Sequence, residues 1–279
     1  VIVSVDGFGY GVERSGAGSP VVVLHGFTGS IAAMRATIDA LARRHTVVAI
    51  DLPGHGASIG AAPERYAMDR VAADLAHIAE RLAVAPATWL GYSLGGRTAL
   101  CVAAAHPRVV DALVLVGASP GIADAAERAA RVRSDAELAA SIERDGIAAF
   151  VERWERLPLF ATQAALAPGA RAAIRAQRLT NVPRELAHNL AGMGTGAQRP
   201  LHDVLPAIDV PVLLVAGAAD AKFSAIADAM ASRLPRARVA RIAGAGHAAH
   251  LESPAAFDAA VETFIATRHT AASLPEGRT

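Results

Sequence analysis

The chain has 279 residues, 53% apolar and 19% charged, with a formal net charge of +1. That length suits one domain plus an insertion and buries a sizeable core. The near-neutral balance excludes bulk charge as a way of holding nucleic acid or a membrane surface. Cys101 is the single cysteine, which rules out an intramolecular disulfide or a cysteine metal site. No apolar run reaches membrane-spanning length and the N-terminus lacks a signal pattern, so the expectation is a soluble cytoplasmic protein.

Residues 1–5 are short and β-branched, as in an edge strand, and Gly7, Gly9, Gly11, Gly16 and Gly18 mark turns around a weaker strand at 10–14. The continuous apolar run 21–24 predicts a buried parallel strand, ending in His25-Gly26-Phe27-Thr28-Gly29. A helix is predicted over 31–43 with Met34, Ile38 and Leu41 on one face. A second buried strand follows at 46–50, ending in the tight loop 51–58. Asp69 is placed to cap a helix carrying Val71, Leu75, Ile78 and Leu82 at helical spacing. A strand at 87–90, a helix at 97–106 stopped by Pro107, and a strand at 112–116 complete a strand–helix alternation that specifies a parallel α/β sheet. Cys101 falls on the apolar side of its helix and is expected in the core.

The rhythm breaks between residues 119 and 200. That stretch has no apolar strand run and reads as helices over 123–132, 136–144, 147–155, 170–179 and 184–190, closed by the glycine-rich stretch 192–196. It lacks the spacing and the preceding strand of a dinucleotide loop. The alternation resumes with a strand at 210–216, a helix at 223–234, a strand at 238–242 and a helix at 254–267, with Ser253 as its cap and Pro254 in its first turn. The expected organisation is an α/β core of residues 1–118 and 201–270, a helical cap over 119–200 spliced after a sheet strand, and a frayed tail at 271–279.

The chemistry centres on Gly91-Tyr92-Ser93-Leu94-Gly95, a G-x-S-x-G between a strand and a helix. That is the context of a nucleophile elbow. Gly91 and Gly95 make room where a Cβ would meet neighbouring backbone, and the Leu94 amide, at the helix start, is free to meet developing negative charge. A serine hydroxyl needs a histidine to take its proton and a carboxylate to orient that histidine. In chain order these follow the serine. Asp220 lies just past a late strand, and His247 lies in the loop after the last one, where Gly246 suggests a mobile, exposed position.

Ten histidines compete. His250 is the rival to His247. His25 is expected to shape its loop and His55 to bond locally, while His45, His77, His106, His188, His202 and His269 read as surface or structural. Asp209 precedes its strand and Asp228 is mid-helix, which leaves Asp220. The Phe27 amide, after its strand, is the candidate second oxyanion donor beside Leu94. His247-x-x-His250 lacks a third ligand, so no metal is expected, and no cofactor.

The chain resembles the α/β-hydrolase superfamily and, more narrowly, the 2-succinyl-6-hydroxy-2,4-cyclohexadiene-1-carboxylate (SHCHC) synthases of menaquinone biosynthesis. The residues that carry this are His25–Gly29, Gly91 through Arg97, Ser119-Pro120-Gly121 with Glu127-Arg128 and Arg131, Trp154 with Leu157-Pro158-Leu159-Phe160, Gly192 through Gln198, Asp220-Ala221-Lys222-Phe223, and Gly246-His247. The resemblance implies an α/β-hydrolase fold and a lyase that eliminates pyruvate from a polycarboxylate cyclohexene, with Ser93, His247 and Asp220 acting in proton abstraction. It also implies substrate contacts from Tyr92, Arg97, Arg131, Trp154 and Arg178. Guanidinium groups suit a polyanion because they grip carboxylates bidentately. Two positions depart from the family pattern: Ala191 stands where an arginine is usual, and His202 where an aromatic is. The partner implied is a small polycarboxylate, with neither nucleic acid nor membrane, and the chain is expected as a monomer or small homo-oligomer. Two alternatives share the scaffold: a serine hydrolase cleaving a carboxylate-bearing ester or carbon–carbon bond, and a non-catalytic ligand binder.

Overall fold

The computed structural model describes residues 1–268; His269 and the tail expected at 271–279 lie outside them. Eight strands form one sheet: β1 (Ile2–Val5), β2 (Phe8–Ser15), β3 (Ser19–Leu24), β4 (His45–Ile50), β5 (Ala87–Tyr92), β6 (Val110–Val116), β7 (Val212–Gly217) and β8 (Ala237–Ile242). Their spatial order is β1-β2-β4-β3-β5-β6-β7-β8. The β1–β2 and β2–β4 pairings are antiparallel, and every later pairing is parallel.

The apolar runs read as buried strands because both faces of the sheet are covered. Side chains alternate across a strand. Val22, Leu24, Val48, Ile50, Trp89, Leu113 and Leu214 therefore pack on one face, against α2 (Met68–Arg81) and α3 (Leu94–Ala105). Val21, Val23, Val47, Leu90, Val114 and Val215 pack on the other, with α1 (Arg35–Leu41). Each fully buried residue of this kind contributes about 1.5–3 kcal/mol. Cys101 is buried with the first group, as expected.

Between β6 and β7 the chain leaves the sheet for a helical cap: α4 (Ala125–Glu155), a 3-10 stretch (Pro158–Ala165), α5 (Pro168–Leu179) and α6 (Pro183–Met193). The cap has its own small core of Ile142, Phe150, Val151, Leu186 and Leu190, with Phe27 of the sheet domain packed against it. After β7 come α7 (Ala221–Ala231), then β8, α8 (Ala249–Glu252) and α9 (Pro254–Thr267). No helix among the described residues is long and apolar enough to cross a membrane.

Several local expectations are corrected. Ala67, not Asp69, occupies the cap position of α2, so Asp69 lies inside the first turn and its side chain makes no cap bond. Its charge still complements the helix dipole there. The helix expected over 31–43 opens as a 3-10 turn, Ile31–Met34, whose first amide donates to Asp51 Oδ1 at 2.7 Å. The helices expected over 123–132 and 136–144 run together, whereas the break expected before 147 is present: Gly146, at φ 79° and ψ 172°, is non-helical and divides α4 into two helices across a kink. Ser253 does occupy the cap position of α9 before Pro254, but its hydroxyl donates to the Ala243 carbonyl instead of capping.

Candidate active site

The turn from β5 into α3 holds Ser93 at φ 50°, ψ −105°. A non-glycine residue in that region costs on the order of 1–3 kcal/mol. Two features hold it there. The Ser93 amide donates to the Val116 carbonyl on the adjacent strand at 2.8 Å. Gly91 and Gly95 also pass so close to neighbouring backbone that a Cβ on either would collide, with Gly95 itself for the first and with Leu24 and His25 for the second.

Ser93, Asp220 and His247 come from the carboxyl ends of three strands and converge. The Ser93 hydroxyl lies 3.1 Å from His247 Nε2, and His247 Nδ1 lies 3.0 Å from Asp220 Oδ2. Burial pushes the Asp220 carboxyl up, but hydrogen bonds from His247 and the Phe223 amide outweigh it and leave the group below the ordinary carboxylate range. An ionised Asp220 fixes the imidazole proton on Nδ1, so Nε2 is left to accept from Ser93. The expectation of an exposed, mobile His247 is corrected: it is 3% exposed. The ring of Phe223 lies 4.5 Å away, that of Tyr92 5.4 Å and that of Phe160, from the cap, 6.3 Å. His250, the rival, is also buried, against Tyr92 and Phe257, and burial pulls its pKa down to about 3.

Two features of this geometry had no signal in the sequence. Glu252 accepts from the amides on either side of His247, Gly246 (2.6 Å) and Ala248 (3.2 Å), and so braces the loop that carries the imidazole. Gly117 lies under the ring, where a Cβ would come within 2.8 Å of His247 Cε1. Both positions become legible only when β6, β8 and α8 are seen side by side.

The Phe27 loop is held by two buried neutral histidines. His25 Nε2 accepts from the Leu52 amide at 2.9 Å, and Nδ1 then donates to the Gly26 carbonyl at 2.8 Å. His55 Nε2 accepts from the Thr28 amide at 3.1 Å, and its Nδ1 donates to the Pro53 carbonyl. Burial lowers the pKa of both. From the cap, Asn181 donates to the Thr28 carbonyl at 2.9 Å, a contact across 153 residues that the sequence does not reveal. The Phe27 amide has no protein acceptor among the described residues. The Leu94 amide opens α3, where a helix leaves its first N–H groups unpaired. A strained serine with an oriented imidazole and two candidate donors can perform proton transfer or nucleophilic attack, with an oxyanion held nearby.

The alpha/beta hydrolase fold family model matches residues 19–254. A Bacillus subtilis (strain 168) protein, provisionally named 2-succinyl-6-hydroxy-2,4-cyclohexadiene-1-carboxylate synthase, is 41% identical over 265 residues, covering 93% of this chain and 96% of that protein. The synthase of that name from Klebsiella pneumoniae (strain 342) is 34% identical over 257 residues, with 92% and 98% covered. The structure of MenH from S. aureus superposes with a TM-score of 0.89 at 33% identity, over 93% of this chain and 98% of that one. The chain belongs to the SHCHC synthase family of α/β hydrolases.

Of the remaining residues that the family resemblance singles out, Tyr92 packs beside His247, and Trp154 and Arg178 pack on Phe160, whose ring lies next to that imidazole. Trp154 packs on Phe27 (5.4 Å) and Phe160 (5.7 Å), its Nε1 is buried without a partner among the described residues, and the Arg178 guanidinium lies over the Phe160 ring at 4.9 Å. Arg97 and Arg131 each have partners within the chain in this SHCHC synthase family member. Arg97 is buried and donates to Gln198 Oε1 (2.7 Å) and the Met193 carbonyl (2.8 Å), which ties the serine helix to the glycine-rich end of the cap. Burial without a carboxylate partner pulls its pKa down to about 10. Arg131 is half-exposed and ion-paired with Asp135 at 2.7 Å.

Proposed function

We propose that this protein is the lyase its family resemblance implies. It would eliminate pyruvate from 2-succinyl-5-enolpyruvyl-6-hydroxy-3-cyclohexene-1-carboxylate to give SHCHC. The proton lost is on C2, beside the succinyl ketone. Its electrons form the C2–C3 double bond, the ring double bond moves to C4–C5, and the C5–O bond breaks to release enolpyruvate, which takes up a proton as pyruvate. Ser93, relayed by His247 and oriented by Asp220, removes the C2 proton. The Phe27 and Leu94 amides hold the enolate oxygen that develops on the ketone, where preorganised donors contribute most. Arg97, Arg131 and Arg178 take the carboxylates, Tyr92 and Trp154 line the pocket, and the cap over 119–200 closes above the core.

The observation that carries this reading is the joint presence, in one chain, of the Ser93–His247–Asp220 relay at 3.1 and 3.0 Å and the 41% and 34% identity to proteins bearing the synthase name. The relay by itself fits acyl transfer equally well, so a serine hydrolase acting on a carboxylate-bearing ester is the second reading. An esterase from Thermogutta terrifontis shares the fold at a TM-score of 0.81 and 25% identity.

The two readings separate in one assay with the purified protein, offered the cyclohexene substrate and p-nitrophenyl acetate in turn. Pyruvate release coupled to lactate dehydrogenase, lost in Arg97→Ala, supports the lyase. Rapid acetate release without pyruvate overturns it.

A further inference from the structure

The cap carries a concavity of its own. A cleft of about 510 Å³ opens between the end of α4, the 3-10 stretch after it and α5. That is within the range of small-molecule sites. Four arginines (Arg156, Arg171, Arg175 and Arg178) and a single acid, Glu155, line it. Glu155 is shared between Arg175 (2.6 Å) and Arg178 (3.3 Å), and Arg156 pairs with Glu152. Arg171 makes no ion pair among the described residues. The wall is apolar, from Phe160 and Ile174. The Gln163 side chain, 8% exposed, also lines it, and its Nε2 is buried with no hydrogen-bond partner among the described residues. A buried amide donor left unpaired carries a desolvation cost that a ligand oxygen would recover.

Donors in excess, a cationic rim and an apolar wall describe a site for an anion with a hydrophobic body. We propose that this cleft is a second carboxylate-binding site, one that takes a small organic acid with a ring or chain against Phe160 and Ile174. Its carboxylate oxygens accept from Arg171, Arg175 and Gln163 Nε2. Arg178 and Phe160 both line this cleft, the guanidinium lies over the Phe160 ring, and that ring lies 6.3 Å from the imidazole, so the pair links the cleft to the region of His247. An occupant would compete with Glu155 for Arg178, and the two sites would influence each other through that one side chain.

The test is a calorimetric titration of benzene-1,3-dicarboxylate into the full chain, compared with Arg171→Glu, Ala172→Glu and Arg97→Ala. Arg171 and Ala172 are exposed on α5, so both charge substitutions preserve the fold. The expected result is saturable binding with a Kd of roughly 1 mM or tighter, weakened at least tenfold by Arg171→Glu and by Ala172→Glu. Arg97→Ala leaves that event in place. Absence of saturable binding up to about 10 mM overturns the proposal. So does a titration that Arg171→Glu and Ala172→Glu leave unchanged, which would put the acid elsewhere. Because the readout is heat of binding rather than turnover, it stands or falls apart from the pyruvate chemistry.

Discussion

At Ser93 the backbone is strained, the hydroxyl faces an imidazole, and the imidazole is fixed by an ionised carboxylate. Each part has a distinct failure. Ser93→Ala and His247→Ala should lower pyruvate release by about 10³-fold or more with little change in thermal midpoint, since the members of such a relay act as a unit. Gly117→Ala should leave the serine and acid intact and still lower kcat by about 10²-fold, because its methyl would push His247 aside and a displacement near 1 Å costs that much. Glu252→Ala should lower kcat more than it raises KM, since it releases the two amides bracketing His247 without touching substrate. Steady-state kinetics on each variant reads these outcomes, and an unchanged kcat in Gly117→Ala would refute the close seating of the ring. Of these four positions, Ser93 and His247 are legible in the sequence because their neighbours mark a strand–turn–helix and a strand–loop. Glu252 and Gly117 are not, because what they do is set by residues from other strands.

At the scale of elements, the decisive junction is between cap and core. The Tyr66 hydroxyl, in a 3-10 turn of the core, donates to the Glu185 carboxylate of α6, which also accepts from the Gly60 amide. Glu185 is 9% exposed, so those donors stand in for water around its carboxylate oxygens. Tyr66→Phe should destabilise the protein by about 1–3 kcal/mol in denaturant titration, the cost of leaving a buried acceptor short of a partner. A loss below a few tenths would mean that water replaces the hydroxyl. On the far side of the cap, Arg97 holds Gln198 and Met193, so α6 is tied to the core at both ends. The cap helices themselves are legible from their missing strand runs. The break before residue 147 is legible and real, since Gly146 is non-helical there, but the direction in which the second helix of α4 leaves that kink is set by packing.

For the whole molecule, acid is the informative perturbation. His25, His55 and His250 are buried and neutral, with burial holding their pKa values below the ordinary 6.5, His250 at about 3. In the unfolded chain each titrates near 6.5 and binds a proton that the native state refuses. Stability is therefore complete above pH 6.5 and falls as pH drops towards the native values, at a slope that for His250 approaches about 1.4 kcal/mol per pH unit. Asp220, whose native pKa is depressed, adds its loss only below about 3.8. Denaturant titrations between pH 7.5 and 5 should show this slope, and His250→Leu should reduce it by one histidine's share. Equal slopes in the two proteins would mean that His250 is protonated in the fold.

Taken alone, the sequence determined the layered α/β architecture, the place where the cap interrupts it, and the serine, histidine and acid that meet at the sheet's carboxyl edge. All of these are written in short-range patterns: apolar runs of strand length, glycines at a tight turn, and loop positions directly after strands. The tertiary structure alone decided how those groups are held. A buried imidazole in place of an exposed one, two neutral histidines strapping the Phe27 loop, Asn181 reaching across from the cap, and an arginine latched to a backbone carbonyl all depend on pairings between segments tens to more than a hundred residues apart. Burial and hydrogen-bond partnership are properties of the packed chain, and no local pattern encodes them.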